Sequence, residues 1–227
     1  RMGLWYLLMS KNIQKNLILG FLFFFPIFVY VFLSTGINNF ARLPILTDDV
    51  EDILNLEGNE ANISFKNNIS IVGFWGGDIV NKKSEALNLN QKIYKRFYEF
   101  QDFQFVFLYN NNESNSINEL KEELISGVGT DLIKWNFIPT TTENIQEIFN
   151  SFKTNLKLDE TFSTPYVFIV DRNLKLRGRD DDEDVGALYG FNSQSVAEIN
   201  NKMVDDVKII LAEYRLALKK NDSLFND

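Results

Sequence analysis

Two stretches of the chain hold residue types and spacings that could do chemistry. The first is Ile69-Ser-Ile-Val-Gly-Phe-Trp-Gly-Gly-Asp-Ile-Val-Asn81. It reads as a buried strand running into a glycine turn, with a helix from Lys82 onward. In an α/β domain the ligand site lies where such a strand ends and its helix begins. Trp75, Gly76, Gly77, Asp78 and Asn81 are therefore candidate contacts for a partner chain or a small ligand. The two glycines permit close backbone approaches that other residues resist. The plainer reading is a connecting turn with Asp78, or Asn81, as the helix N-cap. The second stretch is Asp180-Asp-Asp-Glu-Asp184. A hard cation such as calcium needs several oxygens around one point, and Asp180, Asp182 and Asp184 have a loosely calcium-loop-like spacing. Val185 stands where such a loop needs glycine. The alternative is a solvated acidic loop, held near Arg172, Arg177 and Arg179 by surface ion pairs that each contribute little, or a docking patch for a basic partner.

The residue types that are missing restrict the chemistry further. The 227 residues include no Cys and no His. A thiol nucleophile, a disulfide and a Cys/His zinc site are excluded, as is imidazole acid–base chemistry. The 31 Asp and Glu residues leave carboxylate chemistry open, but no spacing singles out a pair. No cofactor is expected. Residues from 36 onward hold 20 of the 23 basic and all 31 acidic residues, a net charge of −11. Such a domain repels phosphate backbones, so a nucleic-acid partner is not expected.

Several elements must position these stretches. Residues 17–33, LILGFLFFFPIFVYVFL, form an uncharged apolar run. At about 1.5 Å per residue the run is roughly 25 Å long, near the lower limit for a span. With its flank it reads as a transmembrane helix over 17–35, a signal-anchor in which Pro26 is tolerated. A cleaved signal peptide is the alternative; the length of the run and the lack of a small-residue cleavage site weigh against it. Lys11 and Lys15 precede the run, so residues 1–16 are expected in the cytoplasm and the rest outside, in the periplasm of a bacterial inner membrane. Residues 1–8 differ in character from the segment after them, with Met9 as a candidate natural start.

Residues 36–47 read as a linker, 48–220 as the folded domain and 221–227 as a frayed tail. Within the domain, residues 52–65 alternate around Gly58-Asn59 like a hairpin. Ala86, Leu89, Ile93 and Phe97 mark one face of a helix over 82–97. Phe103 to Tyr109 is a second buried strand. Shorter elements are expected at 117–125 and 135–138, and a helix from 142 to 152 after a Thr140/Glu143 capping box. Thr164 to Asp171 is a strand entered through Pro165, with 174–177 as its hairpin partner. Ser195 and Glu198 cap a last helix over 196–220, whose stripe is Val196, Ile199, Met203, Val207, Ile210, Leu211, Tyr214 and Leu218.

This order, strand–helix–strand units followed by a hairpin and a closing helix, resembles a thioredoxin fold over residues 48–220: an α/β domain with a central sheet flanked by helices. Leu56-Glu-Gly-Asn-Glu, followed by Ser64 to Trp75, is similar to the lead-in of the active-site strand in membrane-anchored thioredoxin-like proteins. Thr164-Pro165 resembles the loop that faces their active site, where the proline is cis. Leu174 to Arg179 followed by the long helix, together with the single anchor, resembles Sco-type copper chaperones. The resemblance implies that Thr164 and Pro165 face the turn and join the candidate contact surface. It places the Sco Cys-x-x-x-Cys at Gly77 and Asn81 and its His near Ser163. None of these can hold a soft copper ion or exchange disulfides. What is implied is a redox-inactive relative that binds a protein partner as an assembly factor, in respiratory oxidase or envelope-complex biogenesis. The other class left open is an enzyme or metal protein that uses only carboxylate ligands, at Asp78 or at Asp180 to Asp184.

Overall fold

A computed structural model describes residues 11–34 and 42–225. The chain divides into two units, residues 1–40 and 41–227. The first contains helix α1, Lys11–Ser34, with Pro26 inside it. Ile13–Phe32 is long and apolar enough to cross a bilayer, and none of it is buried against protein. Twenty residues rise about 30 Å, the thickness of a hydrocarbon core. The helix also takes in residues 11–16, which the sequence assigned to a separate N-terminal segment; residue 35 lies outside the described residues.

The second unit is built on a mixed sheet. Its strands are β1 Ile45–Thr47, β2 Ile69–Gly76, β3 Phe103–Asn110, β4 Trp135–Thr140, β5 Tyr166–Val170 and β6 Leu176–Arg177, in the order β1-β6-β5-β2-β3-β4. β2, β3 and β4 are parallel, whereas β5 runs antiparallel to β2 and β6 antiparallel to β5. This is the sheet of a thioredoxin-like fold. The outer hairpin β7 Arg179–Asp182 and β8 Gly186–Leu188 comes next, and β9 Phe191–Asn192 pairs with β5.

Four helices flank the sheet: α2 over 83–97, α3 Ser114–Val128, α4 Thr142–Ser151 and α5 over 196–225. Successive strand side chains point to opposite faces, and here both faces are covered. Ile71, Trp75, Phe105 and Phe107 meet Leu89 and Ile93 of α2 and Ile199, Met203 and Val207 of α5. Val72, Phe74, Val106 and Phe168 meet Ile145 and Phe149 of α4, with Ile53 and Phe65 from the loop before β2. Two-sided burial explains why these strands read as unbroken apolar runs. The helix face expected at Ala86, Leu89, Ile93 and Phe97 is buried, as are Ile199, Met203, Val207, Ile210 and Leu211 of the last stripe, whereas Val196 is exposed and Tyr214 half-buried.

The structure corrects several boundaries. Residues 36–47 are not all linker. Ile45–Thr47 pairs with β6, and Thr47 Oγ1 donates to the Phe152 carbonyl at 2.7 Å. The Leu43 carbonyl accepts from Arg177 Nε at 2.9 Å and also from Nη2. Arg177 in turn pairs with Asp171 at 2.8 Å and Glu213 at 2.6 Å. Partners more than a hundred residues away thus draw this short segment into the domain. The hairpin over 52–65 does not form. Asn59 Nδ2 donates to the Ile53 and Ile63 carbonyls, its Oδ1 accepts from Ile63 N, and Asp52 accepts from Ser64 Oγ and Phe65 N. These side-chain bonds satisfy the backbone that a ladder would have paired. Thr141, not Thr140, caps α4. The last helix runs on to Phe225, so residues 221–225 are helical, while 226–227 lie outside the described residues. Single π-turns at Asn90–Tyr94 and Ile199–Met203 interrupt α2 and α5.

Removing the Arg177 guanidinium would strand Asp171 without its buried partner. We expect Arg177→Ala to cost about 3–5 kcal/mol, as for other broken buried pairs. Urea denaturation of the full chain in detergent, followed by far-ultraviolet circular dichroism, measures this; a loss below about 1 kcal/mol would contradict it.

Candidate functional site

β2 is buried along its whole length and ends at Gly76, whose φ is +50°. A Cβ at this position would lie 2.1 Å from the Thr161 carbonyl oxygen, so only glycine fits. The next amide, Gly77 N–H, donates to that same oxygen at 2.8 Å, and Thr164 N–H donates to the Phe74 carbonyl at 2.9 Å. The loop 159–164 is therefore seated directly on the strand end. At Gly77 the space is different. A Cβ there would meet Thr161 O at 3.7 Å, an ordinary contact.

Asp159 organises this loop. Its Oδ1 accepts from Thr161 N at 2.8 Å, Thr161 Oγ1 at 2.6 Å and Ser163 N at 3.0 Å. Partial burial works to raise its pKa, but the bonds from Thr161 and Ser163 and the nearby Lys82 charge outweigh it and hold the carboxyl below its ordinary value. The turn forces Phe162 to φ +59°. A left-handed conformation costs a bulky residue roughly 1–2 kcal/mol, and the Asp159 bonds offset it.

The structure divides the expected contact surface. Trp75, Gly76 and Thr164 are buried, and Trp75 stacks on Phe107 with ring centres 4.1 Å apart. Pro165 and Asp78 are half-buried, while Gly77 and Asn81 are exposed. Asn81 Nδ2 donates to Asp78 Oδ1 at 2.6 Å, and neither side chain caps the helix. Val80, between them, was not singled out by the sequence and is 79% exposed. The Thr164–Pro165 peptide is trans, not cis as the resemblance implied. Trans is the easier isomer, and both flanking carbonyls are occupied here: Thr164 O by Lys82 and Pro165 O by Ser193.

Beneath the turn lies a charged pair that sequence reasoning missed. Lys82 is 2% exposed and Glu85 1%. Lys82 Nζ donates to Glu85 Oε1 at 3.0 Å and to the Thr164 carbonyl at 3.3 Å. Gln194 Nε2 donates to Glu85 Oε1 at 2.9 Å. Ser193 Oγ lies within hydrogen-bond distance of both Glu85 Oε2 and the Pro165 carbonyl. The network ties the start of α2 to the proline loop and to the segment before α5. One signal for it was present: positions 82 and 85 fall on the apolar face that continues through Ala86 and Leu89.

A soft copper ion does not fit this turn. The positions implied for its ligands offer no side chain at Gly77, an amide at Asn81 and a buried hydroxyl at Ser163, which has no hydrogen-bond partner. The acidic run is committed elsewhere. Lys202 Nζ donates to Asp182 Oδ1 at 2.8 Å and Asp184 Oδ2 at 2.7 Å, while Asp180 is exposed. Burial works to raise the Asp182 pKa, yet the Lys202 bond and backbone amides hold it below the usual value. Among the described residues no three acidic side chains gather closely enough to hold a metal ion. Of the three arginines expected beside the run, Arg179 reaches Asp182 at 3.9 Å. Arg172 pairs with Asp102, and Arg177 with Asp171 and Glu213.

Two measurements test this description. Lys82→Ala leaves Glu85 buried without its cation and should cost about 3–5 kcal/mol, whereas Lys82→Met with Glu85→Leu should recover most of that loss. Urea denaturation of the full chain reads both; equal instability of the single and double variants would contradict the pairing. Because the folded Asp159 pKa lies below the unfolded value of about 3.9, its contribution is complete above that value and fades as pH falls through the folded one. The stability gap between wild type and Asp159→Asn should therefore be present at about pH 6 and shrink progressively as pH falls below about 3.9. A gap independent of pH would refute the assignment.

No family model and no curated protein matches the chain. Among solved structures it is similar to a member of the Sco family of cytochrome c oxidase assembly proteins, at 15% identity over 74% of this chain and 94% of that one, TM-score 0.47. It is also similar to a SCO1/SenC family lipoprotein from Bacillus anthracis, at 19% identity over 78% and 99%, TM-score 0.49. A third is the soluble domain of Sco1 from Bacillus subtilis, at 16% identity over 73% and 94%, TM-score 0.43. The likeness is one of fold, and the chain that shares it contains no cysteine.

Proposed function

We propose that this protein is a non-catalytic, membrane-anchored thioredoxin-like factor that works by binding a protein partner on the outer face of a bacterial inner membrane. The observation that carries the reading is the closed strand end: Gly77 and Asn81 stand where a thiol pair is implied, and the loop 159–164 takes up the Phe74 carbonyl and the Gly77 amide. The backbone that would pair with a bound peptide at Thr164 is already bonded within the chain. Support for anchoring comes from the apolar length of α1 and from Lys11 and Lys15 before it. Assembly of a respiratory oxidase, or of another envelope complex, is the setting suggested by the Sco-type resemblance. Chemistry on carboxylate ligands has less support, because Lys202 occupies both Asp182 and Asp184.

Crosslinking in native membranes, followed by purification of the full chain, tests this reading. We expect a stable protein partner, and a reduced level of one membrane complex when the gene is deleted. Recovery of the uncrosslinked chain alone, with every membrane complex unchanged on deletion, would sink it.

A further inference from the structure

Besides the exposed turn residues Gly77, Val80 and Asn81, the strand end has a second accessible surface. A groove of about 420 Å³ runs between α4 and the loop that closes the strand end. Its wall on the helix is Glu143, Gln146, Glu147 and Asn150; its wall on the loop is Phe162. The four helix positions share one face by their spacing. The opposite face, Ile145, Ile148 and Phe149, is the one buried in the core.

The groove is chemically one-sided. It has two carboxylates, two amides and a phenyl ring, and no cation among its lining residues. Hydrogen bonds from its own backbone amide and from Thr141 and Thr142 hold the Glu143 carboxyl below its usual value. Gln146 Nε2 donates to Asn150 Oδ1 at 2.9 Å, which fixes the amides along the helix. The ring of Phe162 is half-buried and held in place by the Asp159 turn.

From this arrangement we infer that the groove between α4 and the loop 159–162 docks an extended basic segment of a protein partner, with Lys or Arg side chains against Glu143 and Glu147 and an apolar side chain against Phe162. The inference rests on the binding role proposed above and names the face and the partner chemistry. Charge complementarity selects the occupant. A domain with a net charge of −11 is repelled by anionic lipid and nucleic acid alike. The groove is also continuous with the closed turn, because the segment that carries Phe162 is the one whose Thr161 carbonyl binds Gly77.

The test uses the full chain in detergent and a fluorescein-labelled twelve-residue peptide of alternating Lys and Leu, with its Glu/Leu counterpart as control. Glu143→Gln with Glu147→Gln should weaken binding of the Lys/Leu peptide about tenfold. Asp180→Asn with Asp181→Asn removes the same charge from exposed positions elsewhere and should change it less than about twofold. Equal weakening by both pairs, or equal binding of the Glu/Leu peptide, would overturn the groove assignment. The native-membrane crosslink is then repeated with E143Q/E147Q. Loss of the partner that the wild type captures supports the groove; equal capture overturns it and leaves the binding role standing. No partner with either protein overturns both.

Discussion

Every residue of β2 is buried, and most of its surroundings are a consequence of that constraint. A strand hidden on both faces must have its backbone paired on both edges, and β3 and β5 do this. Its two faces then demand two layers of cover. One is supplied by α2, α3 and α5; the other by α4 and the irregular segment before the strand. The carboxyl end has no further strand residue to pair, so its last groups are satisfied by the loop 159–164. Closure of the site is thus the completion of the strand's own hydrogen bonding.

The same end of the sheet carries a fully buried ion pair. Burying Lys82 and Glu85 is costly unless every charge finds partners. The partners come from two separate regions: the proline loop and the segment Ser193-Gln194 before α5. The pair thereby joins the start of α2 to both regions. Asp159 acts in the same sense on the other side of the loop, holding a strained phenylalanine in a single position. The result is a strand end closed by its own loop, with a groove beside it.

Much of the scaffold was legible in the sequence because it depends on near neighbours. Phe103 to Tyr109 could be read as a buried strand from its unbroken apolar run, and α2 from the spacing of Ala86, Leu89, Ile93 and Phe97. Ser195 and Glu198 marked the start of α5, and Ser195 Oγ accepts from Glu198 N at 3.2 Å. The features that were not legible depend on distant partners. Alternation over 52–65 suggested a hairpin, but Asn59 and Asp52 supply the bonds instead. Ile45–Thr47 looked like linker because Arg177 and Phe152, its partners, lie far along the chain. Lys82 and Glu85 were not singled out, because the loop and the segment that bury them come some 80 to 110 residues later. The groove beside α4 depends on the left-handed turn at Phe162, which nothing in the local sequence announced.

The two glycines at the strand end differ in what they would allow a protein engineer. Gly76 is sterically fixed, since any side chain there would collide with the Thr161 carbonyl. Gly77 is open, and Asn81 is already at the surface. Thiols could therefore be grafted at 77 and 81 without rebuilding the backbone, on a scaffold whose ion pair and clasped loop would remain in place. A thiol pair would thus take two substitutions at the surface, while the clasped loop would still hold the backbone groups of Phe74, Gly77 and Thr164.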